Sequence, residues 1–233
     1  MDFELTKTQQ DIQRAVRDFV KGEVERELAI ELEREHAYPE KIWRKAGDIG
    51  LLGVHFPEQY SGQGLGCMDA ILVVEELCRG DSTIGGAVAL APFASELILH
   101  YGSEAQKEKF LPPVAEGRML SAGAFTEPNH GSDITFMDTT AVKEGDEWVI
   151  NGTKTFITNG GLAGFYSVLC QTDTEASPTY RGQSLILVEA DRAGLTTADV
   201  GPKMGSRMMA TAEVSLKDVR VPHENLIGQE NKG

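Results

Sequence analysis

The chain has 233 residues and a formal net charge of −14, with 22 Lys and Arg against 36 Asp and Glu. That balance, without any basic stripe, excludes nucleic-acid binding, because phosphate contacts need clustered cations. A hydrophobic content of 41% with 25% charged residues is that of a globular chain forming one large domain or two small ones.

Cys67, Cys78 and Cys170 form no C-x-x-C pair, and no His/Cys cluster has zinc spacing. Two of the cysteines sit in apolar runs, so buried reduced thiols in a cytoplasmic-type compartment are expected, with no metal centre. No apolar run is long enough to span a bilayer, and no charged-then-apolar leader opens the sequence.

In chain order, apolar residues at Ile12, Val16, Phe19, Val20, Val24 and Leu28 predict a helical stripe between Thr6 and Arg34. Pro39, Ile42, Trp43 and Ala46 predict a shorter helix stopped by Gly47 or Gly50, and His55–Gly66 reads as a loop. Met68–Cys78 is nearly continuously apolar and predicts a buried helix. Gly80 suits its end, and Asp81 or Ser82 the next N-cap. Pro92 should interrupt the helix running from Ser82 to Tyr101. Ser103 and Gln106 form a capping-box pattern for a helix closed by Pro112-Pro113.

After Leu120 the period changes to that of strands. Ser121–Ala124 is an apolar run of small residues, broken at Thr126-Glu127-Pro128 because proline cannot continue a ladder. Asn129, His130 and Gly131 then form a turn whose backbone N–H groups suit an anion, although the same residues also make an ordinary loop. Further strands are predicted at Thr139–Lys143, Glu147–Thr158, Phe165–Gln171, Ser184–Glu189, Leu195–Ala198 and Ala212–Val221, with Thr172–Gln183 a polar loop. Asn151-Gly152 is a hairpin signal between Glu147–Ile150 and Thr153–Thr158. Helices first and strands second predict an α+β chain, helical over residues 1–120 and β over 121–233. No G-x-G-x-x-G separates a strand from a helix, so a Rossmann site is not supported.

T-E-P-x-x-G-S-D at Thr126–Asp133, followed by K-x-F-I-T-N-G at Lys154–Gly160, resembles the acyl-CoA dehydrogenase family. Leu5–Gln9, Ile49–Gly66, Tyr101–Pro113, Lys203–Arg207 and Asp218–Pro222 carry the resemblance along essentially the whole chain. It implies a helical domain followed by a small β-barrel, with FAD as cofactor and an acyl-CoA thioester as substrate. In that family a carboxylate removes the α proton while hydride leaves the β carbon for flavin N5. Donors placed at the flavin edge that gains charge favour this step.

By the same resemblance, the backbone of Phe125 and Thr126 and the Thr126 hydroxyl face the N1/C2 edge of the flavin. Thr158 serves the N5/O4 side, next to Ile157. Phe156 stands where the family often has Trp, against the flavin face, and Gly131 and Ser132 meet the FAD diphosphate or the CoA of substrate. As residues alone, Thr126 and Thr158 also suit plain strands and Phe156 a core. Glu127 is read as support for the turn, and His130 is given no role. Arg207 matches a family arginine, with a salt bridge as its alternative, and Met208-Met209 departs from the small residues usual there.

The resemblance places the catalytic base in a C-terminal helical domain that is not assigned here, so no catalytic residue is named. It further implies an electron-transfer flavoprotein or similar acceptor and a homo-oligomer such as a homotetramer. The alternative is a non-catalytic flavin or acyl-CoA-binding module, or one part of a multi-chain assembly. The T-E-P-N-H-G-S-D wording leans towards a glutaryl-type branch. Against that, Ser82–Ser103 holds no Lys or Arg, which favours a neutral acyl group.

Overall fold

The structure, a computed structural model, describes residues 4–233, and the chain divides into two compact units. One gathers the residues up to 91 with 112–118 and 202–209, and the other holds 92–111, 119–201 and 210–233.

The first unit is helical. The stripe predicted from Thr6 onward forms two helices, α1 (Lys7–Glu23) and α2 (Arg26–Glu35). Thr6 caps α1 through a capping box with Gln9, so L-T-x-x-Q is itself a helix-start signal. Next comes α3 (Glu40–Asp48), whose Ile42, Trp43 and Ala46 are buried, followed by α4 (Cys67–Gly80). The helix expected at Met68–Cys78 is present, but it is buried on one face only: Leu72, Val73 and Leu77 are buried while Met68, Ile71 and Val74 are exposed. Asp81 caps α5 (Ser82–Ala89), accepting from the N–H groups of Thr83 and Ile84 at 2.9 Å each.

Pro92 does interrupt the next stretch, and α6 is Ser95–Tyr101. The Ser103–Gln106 capping box starts α7 (Glu104–Ala115), but Pro112-Pro113 does not close it. Both prolines sit in its last turns, where their carbonyls still accept from Glu116 and Arg118 at 3.0 and 2.9 Å. Near a helix end a missing proline N–H forfeits few bonds.

In the second unit the strands are β1 (Ser121–Ala124), β2 (Thr140–Glu144), β3 (Glu147–Thr158), β4 (Phe165–Gln171), β5 (Gln183–Glu189), β6 (Leu195–Asp199), β7 (Thr211–Pro222) and β8 (Leu226–Ile227). They run in the order β6-β7-β3-β2-β4-β5-β8, with β1 parallel to β4. The helical-then-β arrangement holds, but the predicted barrel is an open sheet, because β6 and β8 do not pair. Within the sheet, β1 occupies β4 from Phe165 to Val168, and β2 meets β4 through the single pair Thr140–Gln171. Trp148, Ile150, Tyr166, Val168, Ile186, Val188, Val214 and Leu216 form the core of this unit.

The hairpin expected at Asn151-Gly152 is also corrected. β3 is continuous, and the β2–β3 turn lies at Gly145, with φ of 61°. Asn151 instead faces a bulge in β7: its side chain accepts from Asp218 N–H at 2.9 Å and donates to the Asp218 carboxylate at 3.1 Å. Gly152 is required by close approach, since a Cβ there would lie 2.3 Å from Thr139 Oγ1. Among the cysteines only Cys170 is buried, its thiol pushed up to about 12 by burial, whereas Cys67 is exposed and Cys78 lies between.

Candidate cofactor site at the end of strand β1

The two sequence motifs meet in the second unit. β1 ends at Ala124, and the chain enters a turn closed by Glu127 N–H to His130 O at 2.8 Å and His130 N–H to Glu127 O at 3.2 Å. Thr155 N–H donates to Thr126 O at 2.9 Å, which sets Phe156 one residue from the start of that turn. At the far end, Asn159 Nδ2 donates to Ser121 O at 2.9 Å.

A second bulge, in β3, lies between these ties. The pairing jumps from Lys154–Val214 to Ile157–Ala212, so Thr155 and Phe156 together face the one residue between. The extra residue turns both Lys154 and Ile157 inward and throws Phe156 out. Phe156 has φ of 56°, a left-handed conformation that disfavours a bulky residue, and the residue is 67% exposed. An exposed aromatic on a strained bulge contributes little to the core; such strain clusters at ligand sites. Ile157 is buried, and Thr158 is half-buried at the end of β3.

Beneath the turn lies a buried ion pair. Lys154 Nζ sits 2.8 Å from Glu127 Oε1, with both side chains almost fully out of solvent. The ammonium also donates to Phe125 O at 3.1 Å and lies 3.2 Å from Met137 Sδ. Glu127 accepts in addition from Asp138 N–H at 2.6 Å and Thr139 N–H at 2.9 Å. Burial alone would push the Glu127 carboxyl up. The hydrogen bonds from Lys154, Thr139 and Asp138 outweigh it and hold the group below the usual carboxylate value. Burial lowers the Lys154 ammonium, opposed by the charge of Glu127.

Glu127, His130 and Asp138 bring one ligand atom each within 4.8 Å of one another. Lys154 already supplies the cation to Glu127, so the arrangement is an ion-pair network rather than a metal centre. His130 stands 3.2 Å from Asp138 and stacks on Phe136.

The predicted site residues therefore fall into two groups. Phe125, Thr126, Phe156 and Thr158 lie along adjoining backbone ends, while Gly131 and Ser132 are exposed further along the turn segment. A Cβ at Gly131 would meet nothing within 4 Å, leaving room for a ligand to approach the backbone. Arg207 bonds Lys203 O at 2.9 Å and stands 3.8 Å from Glu33 in the first unit. Sequence reasoning assigned no role to Lys154 or Asn159. The inward position of Lys154 was signalled by Ile150 and Gly152, two residues apart on the same face of β3.

These residues suit a flat, edge-on hydrogen-bonding ligand. Thr126 N–H has no partner among the described residues, and the Thr126 carbonyl is bonded to Thr155, the neighbour of exposed Phe156. Comparison with known proteins follows the same lines. The chain matches the acyl-CoA dehydrogenase N-terminal domain over residues 6–118 and the acyl-CoA dehydrogenase middle domain over residues 122–219. It is 38% identical over its whole length to the short-chain-specific acyl-CoA dehydrogenase of Clostridium acetobutylicum, covering 61% of that protein. The butyryl-CoA dehydrogenase structure from Megasphaera elsdenii superposes with a TM-score of 0.90 at 36% identity, over 100% of this chain and 61% of that one. A glutaryl-CoA dehydrogenase from Mycobacterium smegmatis, solved in complex with FADH2, gives 0.88 at 32% identity, over 97% and 57%.

The fold is thus that of a two-part, helical-then-β chain. The chain belongs to the acyl-CoA dehydrogenase family. It spans about three-fifths of the length of these relatives.

Proposed function

We propose that this chain holds FAD and takes part in the α,β-dehydrogenation of an acyl-CoA thioester. The observation that carries the reading is the unpartnered Thr126 N–H on a segment whose Thr126 carbonyl is tied to Thr155, next in the chain to the outward, strained Phe156. Thr126 N–H and hydroxyl would hold the edge of the flavin that gains charge, Thr158 its N5/O4 side, and the Phe156 ring its face. The backbone of Phe125 and Ile157 completes the contact, and Gly131 and Ser132 would meet the diphosphate, Ser132 also the CoA. When bound, FAD supplies a hydride acceptor. The protein's part is to orient that acceptor and present donors where charge develops.

Glu127 is not the base that removes the α proton. Its carboxylate is buried and committed to Lys154 and two backbone amides, and a base must reach the proton it takes. No other residue of this chain is assigned that role. The acyl group is neutral, since Ser82–Ser103 offers no lysine or arginine to a second carboxylate. An electron-transfer flavoprotein or similar acceptor, a homo-oligomer and a cytoplasmic location belong to the same proposal. Three free cysteines support the last. No helix among the described residues is long and apolar enough to cross a membrane.

The test is titration of the purified chain with FAD, followed by flavin fluorescence and the visible spectrum. Saturable binding that weakens in Thr126→Pro and Phe156→Ala is expected. Absence of saturable binding would overturn the reading.

A further inference from the structure

The donor at the proposed flavin edge is a backbone N–H, and its direction is set by the carbonyl on the other side of the same peptide. In a trans peptide the C=O and N–H point in opposite directions, and the Phe125–Thr126 bond is trans. Whatever captures Phe125 O therefore aims Thr126 N–H. That partner is the buried ammonium of Lys154, at 3.1 Å. The following peptide is fixed as well: Thr126 O accepts from Thr155 N–H, and Glu127 N–H bonds His130 O. Thr126 N–H is left facing away from this network, without a partner among the described residues.

We infer that Lys154 is a positioning residue, which, held in place by Glu127, turns the Thr126 N–H outward towards the cofactor edge. This rests on the FAD reading given above. A neutral side chain would hold Phe125 O less firmly, because a charge-assisted hydrogen bond is roughly twice as strong as a neutral one. A surface lysine would lose its direction to solvent. Glu127 supplies what burial of an ammonium demands, a partner of opposite charge, and it is itself fixed by Asp138 and Thr139 N–H. The alternation of β3 turns the side chain inward at this position, on the face of Ile150 and Gly152. The glutamate of one motif and the lysine of the other thus act as one device.

Two variants separate the lysine from the charge. Glu127→Gln removes the charge, keeps an acceptor for one of the two amides that bond the separate carboxylate oxygens, and leaves Lys154 to bond Phe125 O. Lys154→Met with Glu127→Gln removes that bond without stranding a buried charge. In the wild-type protein, amide exchange by NMR should show Thr126 N–H exchanging fast without cofactor and protected once FAD is added. Glu127 N–H should be protected in both states. The double variant should keep its far-UV spectrum, broaden or split the Thr126 amide signal, and weaken FAD binding by about tenfold or more, with a lowered flavin potential. E127Q alone should weaken FAD binding too, by less than the double variant, because Lys154 keeps its bond to Phe125 O but loses the partner that holds it in place.

A Thr126 amide already protected in the cofactor-free wild type overturns the inference, and this needs no variant to fold. So does a double variant with unchanged Thr126 signal, FAD affinity and potential. A wild-type Thr126 amide that exchanges fast and stays so in saturating FAD removes the FAD reading while leaving the clamp itself standing.

Discussion

Asn159 reaches back from the end of β3 to Ser121, its Nδ2 2.9 Å from the Ser121 carbonyl oxygen, and so ties the end of one motif to the strand that opens the other. The side chain is buried, and the backbone is left-handed with φ of 63°. Asn tolerates that conformation better than most residues. Asn159→Ala removes the bond and keeps the strain, and should cost about 2 kcal/mol in chemical denaturation. Asn159→Gly relieves the strain and should recover about 1 kcal/mol of that loss. Equal stability of N159A and wild type would show that the tie contributes nothing.

Glu127 gives the protein a specific acid sensitivity. Its folded-state value lies below the ordinary 4.5, so its contribution is fully present above that value and is lost as pH falls through the lower folded one. Glu127→Gln should lower stability at pH 7 by about 3 kcal/mol, because the lysine loses its partner. Below pH 4.5 its stability should fall less steeply with pH than that of the wild type. Urea midpoints measured between pH 3 and pH 7 check this, and parallel profiles would exclude Glu127 as a source of the slope.

Much of this was legible in the sequence because local rules and tertiary context agreed. The Ser103–Gln106 capping box, the Asp81 N-cap and the strand Phe165–Gln171 are local patterns that nothing overrides. The failure at Pro112-Pro113 is local, since prolines are tolerated near a helix end, while those in the sheet turn on partners distant in sequence. Asn151-Gly152 reads as a turn until Asp218, 67 residues away, makes it the partner of a bulge. The open sheet likewise depends on pairing between distant segments, since β6 and β8 stand at its two ends without pairing. At the site, Thr126 and Phe156 were reached through motif resemblance. The left-handed backbone of Phe156 and the route from Lys154 to Phe125 O appear only once the two segments are side by side.

Substrate choice follows from charge. A second carboxylate on the acyl chain, buried without a cation, costs on the order of several kcal/mol. Calorimetric titration of the FAD-loaded protein should give butyryl-CoA at least about tenfold tighter binding than glutaryl-CoA. Tighter binding of glutaryl-CoA would require a cation from outside Ser82–Ser103, and would refute the neutral-acyl assignment.

Phe156 separates the needs of the fold from those of the cofactor. Its ring is largely exposed, so the core gains little from it, while its left-handed backbone costs about 1 kcal/mol relative to glycine. Phe156→Gly should therefore leave the cofactor-free protein as stable as wild type or up to about 1 kcal/mol more stable. The same change removes the ring that would lie on the flavin face. Loss of an aromatic contact of this size should weaken FAD binding by about tenfold. Phe156→Trp keeps the strain and enlarges the ring, and should bind FAD at least as tightly as wild type. Thermal melts of the cofactor-free variants, set beside their FAD dissociation constants, make the comparison. A glycine variant that melts well below wild type while binding FAD equally would reverse the assignment and make Phe156 a structural residue.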